Sequence, residues 1–243
     1  MFTLFKKEIR SFLSSLIGYI AICVFLLLVG LFLWILPTDS NILNNGYAGL
    51  DALFSLAPWV FLFLIPAITM RSFADERKAG TIEFLLTKPL TDLQIILAKY
   101  FASVTLVLFS LLPTLIYYFS IYRLGNPVGN IDAGGTWGSY IGLFFLASAF
   151  TAIGIFASSL SDNQIVAFIL AVFLCFFLYI GFEYVSMLTM FGKAGSLILA
   201  LGINDHYNSM SRGVIDTRDV IYYLSIIGIF ILMTKTKLES RKW

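Results

Sequence analysis

The distribution of charged residues along the chain limits what it can fold into more than any other feature. Asp, Glu, Lys and Arg make up only 12% of the 243 residues, and they leave charge-free runs at 11–38, 52–70, 100–122, 133–161, 163–182 and 220–234. A helix that crosses a bilayer needs about 20 mainly apolar residues. The last run is shorter than this, but the side chain of Lys235 can reach the headgroups and so lengthen it. The sequence therefore predicts six membrane spans, at 16–36, 52–70, 100–122, 140–160, 165–184 and 220–236.

The composition excludes two broad classes of protein. Hydrophobic residues make up 59% of the chain, well above the usual apolar share of a soluble domain. The 24 Phe, 12 Tyr and 4 Trp are far too many aromatic residues for a disordered chain. Six spans leave only short loops, so residues 1–243 are expected to form one all-α membrane domain. The first apolar run is too long for a cleavable signal peptide and is predicted to remain as a span.

The segment 184–219 is ambiguous. Its apolar part is interrupted by Lys193 and by three glycines, and each charge-free piece is too short to cross a bilayer. We expect short helices on the outer side before the last span, lying at the interface or re-entering the membrane. The alternative is a seventh span with a buried lysine.

The charges between the spans predict the orientation. Alternate segments carry 12 lysines and arginines on one side and 4 on the other. By the positive-inside rule, the segments with 12 face the cytoplasm, which places both termini there. A seventh span would move the basic C-terminal segment to the outside.

The first 15 residues are predicted to form an amphipathic helix on the membrane surface. Phe2, Phe5 and other apolar residues recur at helical spacing, whereas Lys6, Lys7 and Arg10 share the opposite face. Such a helix suits an anionic cytoplasmic leaflet. The alternative is a charge cluster that serves only to orient the first span.

The segment 71–99, between the second and third spans, carries the most distinctive sequence. Gly80 is typical of a helix end, and Thr81 is a candidate N-cap for a short helix at 82–87 that Pro89 would end. Thr91 is a second candidate N-cap, before a helix that continues into the third span. A short helix between two turns would present a rigid face to the cytoplasm; the alternative is an ordinary connecting loop.

This segment also resembles a known family. Residues 76–89 read E-R-K-A-G-T-I-E-F-L-L-T-K-P, similar to the E-R-x-x-G-T-[LI]-E-x-L-L-x-x-P signature of ABC-2 type transporter permeases. The basic N-terminal helix, the six spans and the short helices before the sixth also resemble that family, so the likeness covers essentially the whole chain. Residues 211–222 resemble the gliding-motility-associated permease subunits of bacteroidetes.

The resemblance implies a function and a set of partners. The chain would be a permease subunit of the bacterial inner membrane that works with a separate cytoplasmic ABC ATPase, and ATP and Mg would bind to that ATPase. A second six-span subunit, identical or related, would complete the transporter. The segment 71–99 would contain the coupling helix, and the residues that would couple it to the ATPase are Asp75, Glu76, Arg77, Gly80, Thr81, Ile82, Glu83, Leu85, Leu86 and Pro89.

Each group of coupling residues has an expected role. Gly80 and Pro89 would set the turns on either side of the helix. Its apolar side would be anchored by Ile82, Leu85 and Leu86. Glu76 and Glu83 would contact basic groups, in the ATPase or in the chain's own N-terminal helix.

The spans themselves carry few polar residues. The fourth is rich in small residues, which let helices approach closely in lipid, so we expect it to be buried in the bundle; a face that lines the substrate path is the alternative. The Phe-rich fifth span is expected to face lipid or another subunit. Glu183, near its outer end, is either a functional group within the membrane or a carboxylate facing water at the headgroups. His206 has no second metal-ligand motif beside it.

Catalytic signatures are absent from the sequence. It contains no phosphate-binding G-x-x-x-x-G-K-[ST] motif and no H-E-x-x-H or G-x-S-x-G motif, so we expect no enzymatic activity and no nucleotide site in this chain. Neither a nucleic-acid partner nor a metal site is expected. Two functions remain: export of a substrate, or transmission of ATP-driven shape change to periplasmic machinery without transport. The sequence identifies no substrate.

Overall fold

The computed structural model describes residues 1–44, 46–82, 90–187 and 195–240. Within these residues the chain is helical throughout, without strands, and six helices are long and apolar enough to cross a membrane. The predicted all-α membrane fold is confirmed. The six spans are Gly18–Ile35, Asp51–Lys78, Asp92–Leu124, Ala133–Leu160, Gln164–Ser186 and Thr217–Glu239.

Shorter helices and local irregularities complete the description. The N-terminal helix is Phe2–Leu13, and two short helices, Gly195–Leu199 and Ile203–Ser211, precede the sixth span. We call these two the outer helices, after the side that the sequence predicts for them. The second span consists of Asp51–Thr69 and an extension, Arg71–Lys78. The first span ends in a π turn, Leu31–Ile35, and the fifth contains another, Phe177–Gly181. The third is interrupted at Pro113 by the 3-10 turn Leu112–Thr114.

The fourth span is the centre of the bundle. In its most apolar window 83% of the residues are buried, against 28% in the first and fifth spans and 17% in the sixth. Small side chains make this possible: a Cβ on Gly154 would collide with Oγ1 of Thr69 in the second span. The predicted burial of the fourth span is confirmed, and the fifth exposes most of its surface, as its Phe-rich sequence predicts.

Several helices extend beyond the predicted spans. The third begins at Asp92, where Thr91 and Gln94 form a capping box, so the predicted N-cap at Thr91 is confirmed. The fourth begins at Ala133, because the side chain of Asp132 accepts a hydrogen bond from the backbone N–H of Gly135. The second span stays helical through Pro58 and Pro66.

The two ends of the bundle differ in character. We call the end that contains the N-terminal helix and the extension Arg71–Lys78 the basic end, and the opposite end, which contains Ile203–Ser211, the far end. At the far end the Tyr207 hydroxyl donates to the backbone oxygen of Phe54 at 2.8 Å, and Tyr223 donates to that of Ile203 at 3.3 Å. The outer helix Ile203–Ser211 is therefore attached to the second and sixth spans.

A charged junction at the basic end as candidate functional site

The extension of the second span begins at a point that the fourth span stabilises. The first backbone N–H groups of a helix have no partner within it. Ser158 of the fourth span supplies a hydrogen-bond acceptor for them: its Oγ accepts from the N–H of Phe73 at 3.0 Å and from the N–H of Ala74 at 3.2 Å. The same hydroxyl donates to the carbonyl of Met70 at 2.8 Å. Ser158 thus acts as an N-cap from another helix and fixes the direction of Arg71–Lys78.

A lysine at the start of the third span joins three elements. Nζ of Lys99 lies 2.9 Å from Oε1 of Glu76 in the extension and 3.3 Å from Oε1 of Glu8 in the N-terminal helix. Only 2% of the Lys99 side chain is exposed, and its ammonium group lies 5.2 Å from the ring centre of Phe73. Lys7 lies at the edge of the same cluster, 3.9 Å from Oε1 of Glu76.

The junction is mixed in charge and incompletely paired. Among the described residues, the second carboxylate oxygen of Glu76 is buried without a hydrogen-bond partner, and so is Nε of Arg71. Beside them lies a cavity of about 200 Å³. Its lining includes three basic and three acidic side chains: Lys7, Arg71, Lys99, Glu8, Asp75 and Glu76. Groups that are close but not fully paired are able to exchange partners when the helices shift.

The remaining described coupling residues continue along the extension. Asp75 accepts a hydrogen bond from Nε2 of Gln164 at the start of the fifth span. This hydrogen bond links the extension to the start of the fifth span. Among the described residues, Nε of Arg77 is buried without a hydrogen-bond partner.

Gly80 ends the extension in the left-handed region, with φ of +66°. The backbone N–H of Gly80 donates to the carbonyl of Arg77 at 3.1 Å, and that of Thr81 donates to Glu76 at 2.9 Å. These bonds satisfy carbonyls that the helix leaves open, as expected for a glycine at this position. Gly80 and Thr81 are exposed, whereas Ile82 is buried. The predicted positions Glu83, Leu85, Leu86 and Pro89 lie outside the described residues.

The predicted basic face of the N-terminal helix lies on the surface. Lys6, Lys7 and Arg10 are exposed, whereas Leu4 is buried. The helix packs against the third span near Lys99. Lys6 and Arg10 are therefore accessible to a partner or a membrane surface, whereas Lys7 also lies beside Glu76.

The other candidates lie at the far end. Glu183 accepts a hydrogen bond from Nδ2 of Asn204 at 2.9 Å. Nδ1 of His206 lies 2.7 Å from Oδ1 of Asp219, and Nε2 lies 2.9 Å from the carbonyl oxygen of Ala200. His206 therefore helps to attach the outer segment to the sixth span. Within the described ranges no three His, Cys, Asp or Glu side chains form a group suited to a metal ion.

The sequence prediction missed four residues of the junction: Glu8, Lys99, Ser158 and Gln164. The usable signal for Lys99 was the capped start of its helix at Thr91, which carries the lysine about two turns into the third span. An ionisable side chain within a membrane helix calls for a named partner. Ser158 gave no signal, because serines in apolar helices commonly bond to their own backbone, as Ser159 does here.

The junction is suited to transmit displacement. It ties the N-terminal helix, the extension and the third span through one buried ammonium group, next to the exposed turn at Gly80. The extension that precedes this turn is hydrogen-bonded to the fourth span through Ser158 and to the fifth span through Gln164.

Comparison with known proteins agrees with this architecture. No significant match to a curated protein was found. A model of the ABC-2 family transporter proteins matches residues 2–234, nearly the whole chain. The chain therefore belongs to the ABC-2 transporter family, and it is a membrane permease subunit of an ABC transporter.

Proposed function

We propose that this permease subunit receives force from a separate cytoplasmic ABC ATPase at the segment 71–99 and converts it into movement of the spans. ATP and Mg would be bound by the ATPase alone, and this chain would have no catalytic role. Both termini would lie in the cytoplasm of a bacterium, with the basic end facing inward. A second six-span subunit, identical or related, would complete the transporter in the inner membrane.

The observation that carries the proposal is the junction around Lys99. A partner that pushes on the exposed turn at Gly80 moves an extension bonded to the N-terminal helix, the third span, the fourth span and the fifth span. Bundles with discrete packing arrangements respond to such a push by rigid-body shifts rather than by continuous bending. Lys99 and Ser158 would therefore be the points at which force enters the bundle.

Two glycines with the same backbone geometry offer a matched test. Gly80 has φ of +66° and Gly46, at the far end, has φ of +69°; a Cβ at either would meet no atom within 4 Å. Valine strains the backbone equally at both positions. We expect Gly80→Val to reduce the amount of ATPase that co-purifies with the tagged chain, and Gly46→Val to leave it unchanged.

The assay needs three readouts. Membrane insertion, ATPase stoichiometry and vanadate-sensitive ATP hydrolysis are measured for the wild type, Gly80→Val, Gly46→Val and Glu83→Lys. Equal stoichiometry in all four chains would show that 71–99 is not the docking segment. Recovery of the wild-type chain without any ATPase would contradict the proposal as a whole.

The proposal includes a subtype: the chain would be a permease subunit of the gliding-motility-associated type. Its support is the resemblance of residues 211–222 to the gliding-associated permeases of bacteroidetes. If it holds, deletion of the chain in a gliding host abolishes surface spreading and the wild-type chain restores it. Normal spreading of the deletion strain would leave the chain as a permease of another system.

A purely mechanical role is the second candidate, and one observation favours it. The outer helix Ile203–Ser211 is bonded to the second span through Tyr207 and to the sixth through His206, so movement of these spans carries it along. Burial, and to a smaller extent nearby Tyr179, raises the pKa of the Tyr207 hydroxyl, which therefore keeps the proton that it donates. A periplasmic partner cross-linking to this helix only during ATP turnover would support the mechanical role.

A further inference from the structure

The far end of the bundle contains a cavity that is separate from the charged junction. It lies between the second span, the fifth span and the outer helix Ile203–Ser211, and it has a volume of about 380 Å³. Small-molecule sites range from about 300 to 1,000 Å³, so this cavity is large enough for a small ligand or a headgroup. Its lining includes Trp59, Tyr179, Glu183, Tyr184, Asn204 and Tyr207.

Glu183 gives the cavity a negative charge, and none of the described residues is its counterion. Asn204 donates to Oε2 of Glu183 at 2.9 Å, and no other described residue donates a hydrogen bond to this carboxylate. No described lysine, arginine or histidine forms an ion pair with it either. A carboxylate near the end of a membrane span is normally paired, because the surroundings screen its charge poorly.

Aromatic rings line the same cavity as the Glu183 carboxylate. The Tyr179 ring meets Trp59 edge-on at 6.1 Å between ring centres. Trp59 is 47% exposed and Tyr184 is 66% exposed, so both have surface available to a ligand. An ammonium group is attracted to the faces of such rings, and more strongly where water is partly excluded.

The backbone next to Glu183 is irregular at this point. The π turn Phe177–Gly181 directly precedes the short helix Phe182–Ser186, which contains Glu183. A π turn inserts a residue into the helix and changes which side chains share a face, and such turns occur frequently at functional sites. Here the side chains of Tyr179 and Glu183 both line the cavity.

We propose that this cavity binds an alkylammonium group, with Glu183 as counterion and Trp59 and Tyr184 as the aromatic walls. An anion would be repelled by Glu183, and a neutral apolar ligand would gain nothing from it. A divalent metal ion is disfavoured because no group of three His, Cys, Asp or Glu suited to hold one exists among the described residues. An ammonium group satisfies the charge and the rings together.

Choline and its neutral isostere 3,3-dimethyl-1-butanol provide the test. Binding of each is measured by titration calorimetry on the purified chain in a neutral maltoside detergent. We expect choline to bind at least about tenfold more tightly than the alcohol, because the charge adds an ion pair and a cation–π contact. No ATPase is needed, so this result is independent of the proposed coupling function.

Glu183→Gln removes the charge but keeps the shape, and we expect it to abolish the preference for choline. Asp205→Asn is the matched control. It removes an exposed acid from the outer helix Ile203–Ser211, and Asp205 does not line the cavity. Trp59→Leu should weaken choline binding severalfold without changing the net charge. Equal binding of choline and the alcohol to the wild type, or an unchanged preference in Glu183→Gln, would overturn the proposal.

The source of the ammonium group is tested in nanodiscs. If lipid headgroups supply it, phosphatidylethanolamine nanodiscs should weaken choline binding relative to phosphatidylglycerol nanodiscs, and Glu183→Gln should remove this difference. If free amines supply it, the two lipids give the same affinity.

Lys193, outside the described residues, is tested by Lys193→Ala. Choline binding seen only in that variant would mean that the chain's own lysine is the counterion, which contradicts the proposal.

Discussion

At the basic end of the bundle, three elements meet around the single positive charge of Lys99. At the far end, the outer helix Ile203–Ser211 is attached by the contact between His206 and Asp219 and by hydroxyl groups that donate to backbone carbonyls, such as Tyr207 to Phe54. Neutral hydrogen bonds of this kind are short-ranged and directional, so they hold one geometry. Charges act over longer distances and tolerate exchange of partners, particularly where one carboxylate oxygen of Glu76 has no partner in the described part of the chain.

This difference in bonding gives the two ends of the bundle different mechanical properties. The basic end is suited to change its pairing when a partner docks, whereas the far end is suited to follow the spans as a fixed body. The central fourth span connects the two, since it is packed by small residues along its length and bonds to the extension through Ser158. The three predictions below test this contrast in order of expected effect.

Removing the central charge should have the largest effect on stability. Lys99→Met leaves Glu8 and Glu76 facing each other, largely buried and without their main cation. Breaking a buried ion pair from one side typically costs about 3–5 kcal/mol. The melting temperature in detergent should fall clearly for Lys99→Met and hardly at all for Lys78→Met, which changes an exposed lysine nearby.

A double variant distinguishes lost pairing from lost packing. Lys99→Met combined with Glu76→Gln removes one of the two stranded charges, so it should be more stable than Lys99→Met alone. If the double variant is less stable than the single, the ion cluster is not what holds the basic end, and the contrast between the two ends fails.

The part of the fold that follows from local pattern was predictable from sequence. The six spans follow from the charge-free runs, the buried position of the fourth from its small residues, and the cap at Thr91 from its place before an amphipathic run. Each of these depends on residues within one segment. The sequence also identified Glu76 and Gly80 as candidates through the motif at 76–89, and Asp75 as the residue directly before it.

The pairing at the junction depends on tertiary packing and was not predictable in the same way. Glu8, Glu76 and Lys99 belong to three different elements, and their contact requires the N-terminal helix to pack against the third span. The sequence interpretation placed Lys99 at the end of the connecting segment 71–99, directly before the predicted third span. The helix that starts at Asp92 instead carries it into the bundle.

Ser158 offers a second way to sharpen the contrast, because it holds the basic end through a neutral group. Ser158→Ala removes the acceptor of two N–H groups at the start of the extension and the donor to Met70. Loss of an N-cap costs about 0.5–2 kcal/mol. Ser159→Ala is the matched control, since that hydroxyl bonds only within its own helix.

Stability and coupling should respond differently to these two serines. We expect Ser158→Ala to lower both the melting temperature and ATPase stimulation in the complex, because the extension loses its fixed direction. Ser159→Ala should change neither. If ATPase stimulation is normal in Ser158→Ala despite reduced stability, force enters the bundle through Lys99 alone.

The smallest effect is expected at the far end, where many weak bonds share the attachment. Tyr207→Phe removes the hydrogen bond to Phe54 and leaves the buried ring in place. Interhelical hydrogen bonds in membrane proteins contribute on average about 0.6 kcal/mol, so the unfolding free energy should fall by about 1 kcal/mol or less. Tyr19→Phe, at a half-exposed position on the first span, is the control and should leave stability unchanged.

The informative measurement for Tyr207→Phe is hydrogen exchange in the segment 203–211. Faster exchange with normal ATPase activity fits an outer helix that follows the spans. Reduced ATPase activity would mean that the far end acts back on the junction, and the two ends would then form one coupled unit rather than a driver and a follower.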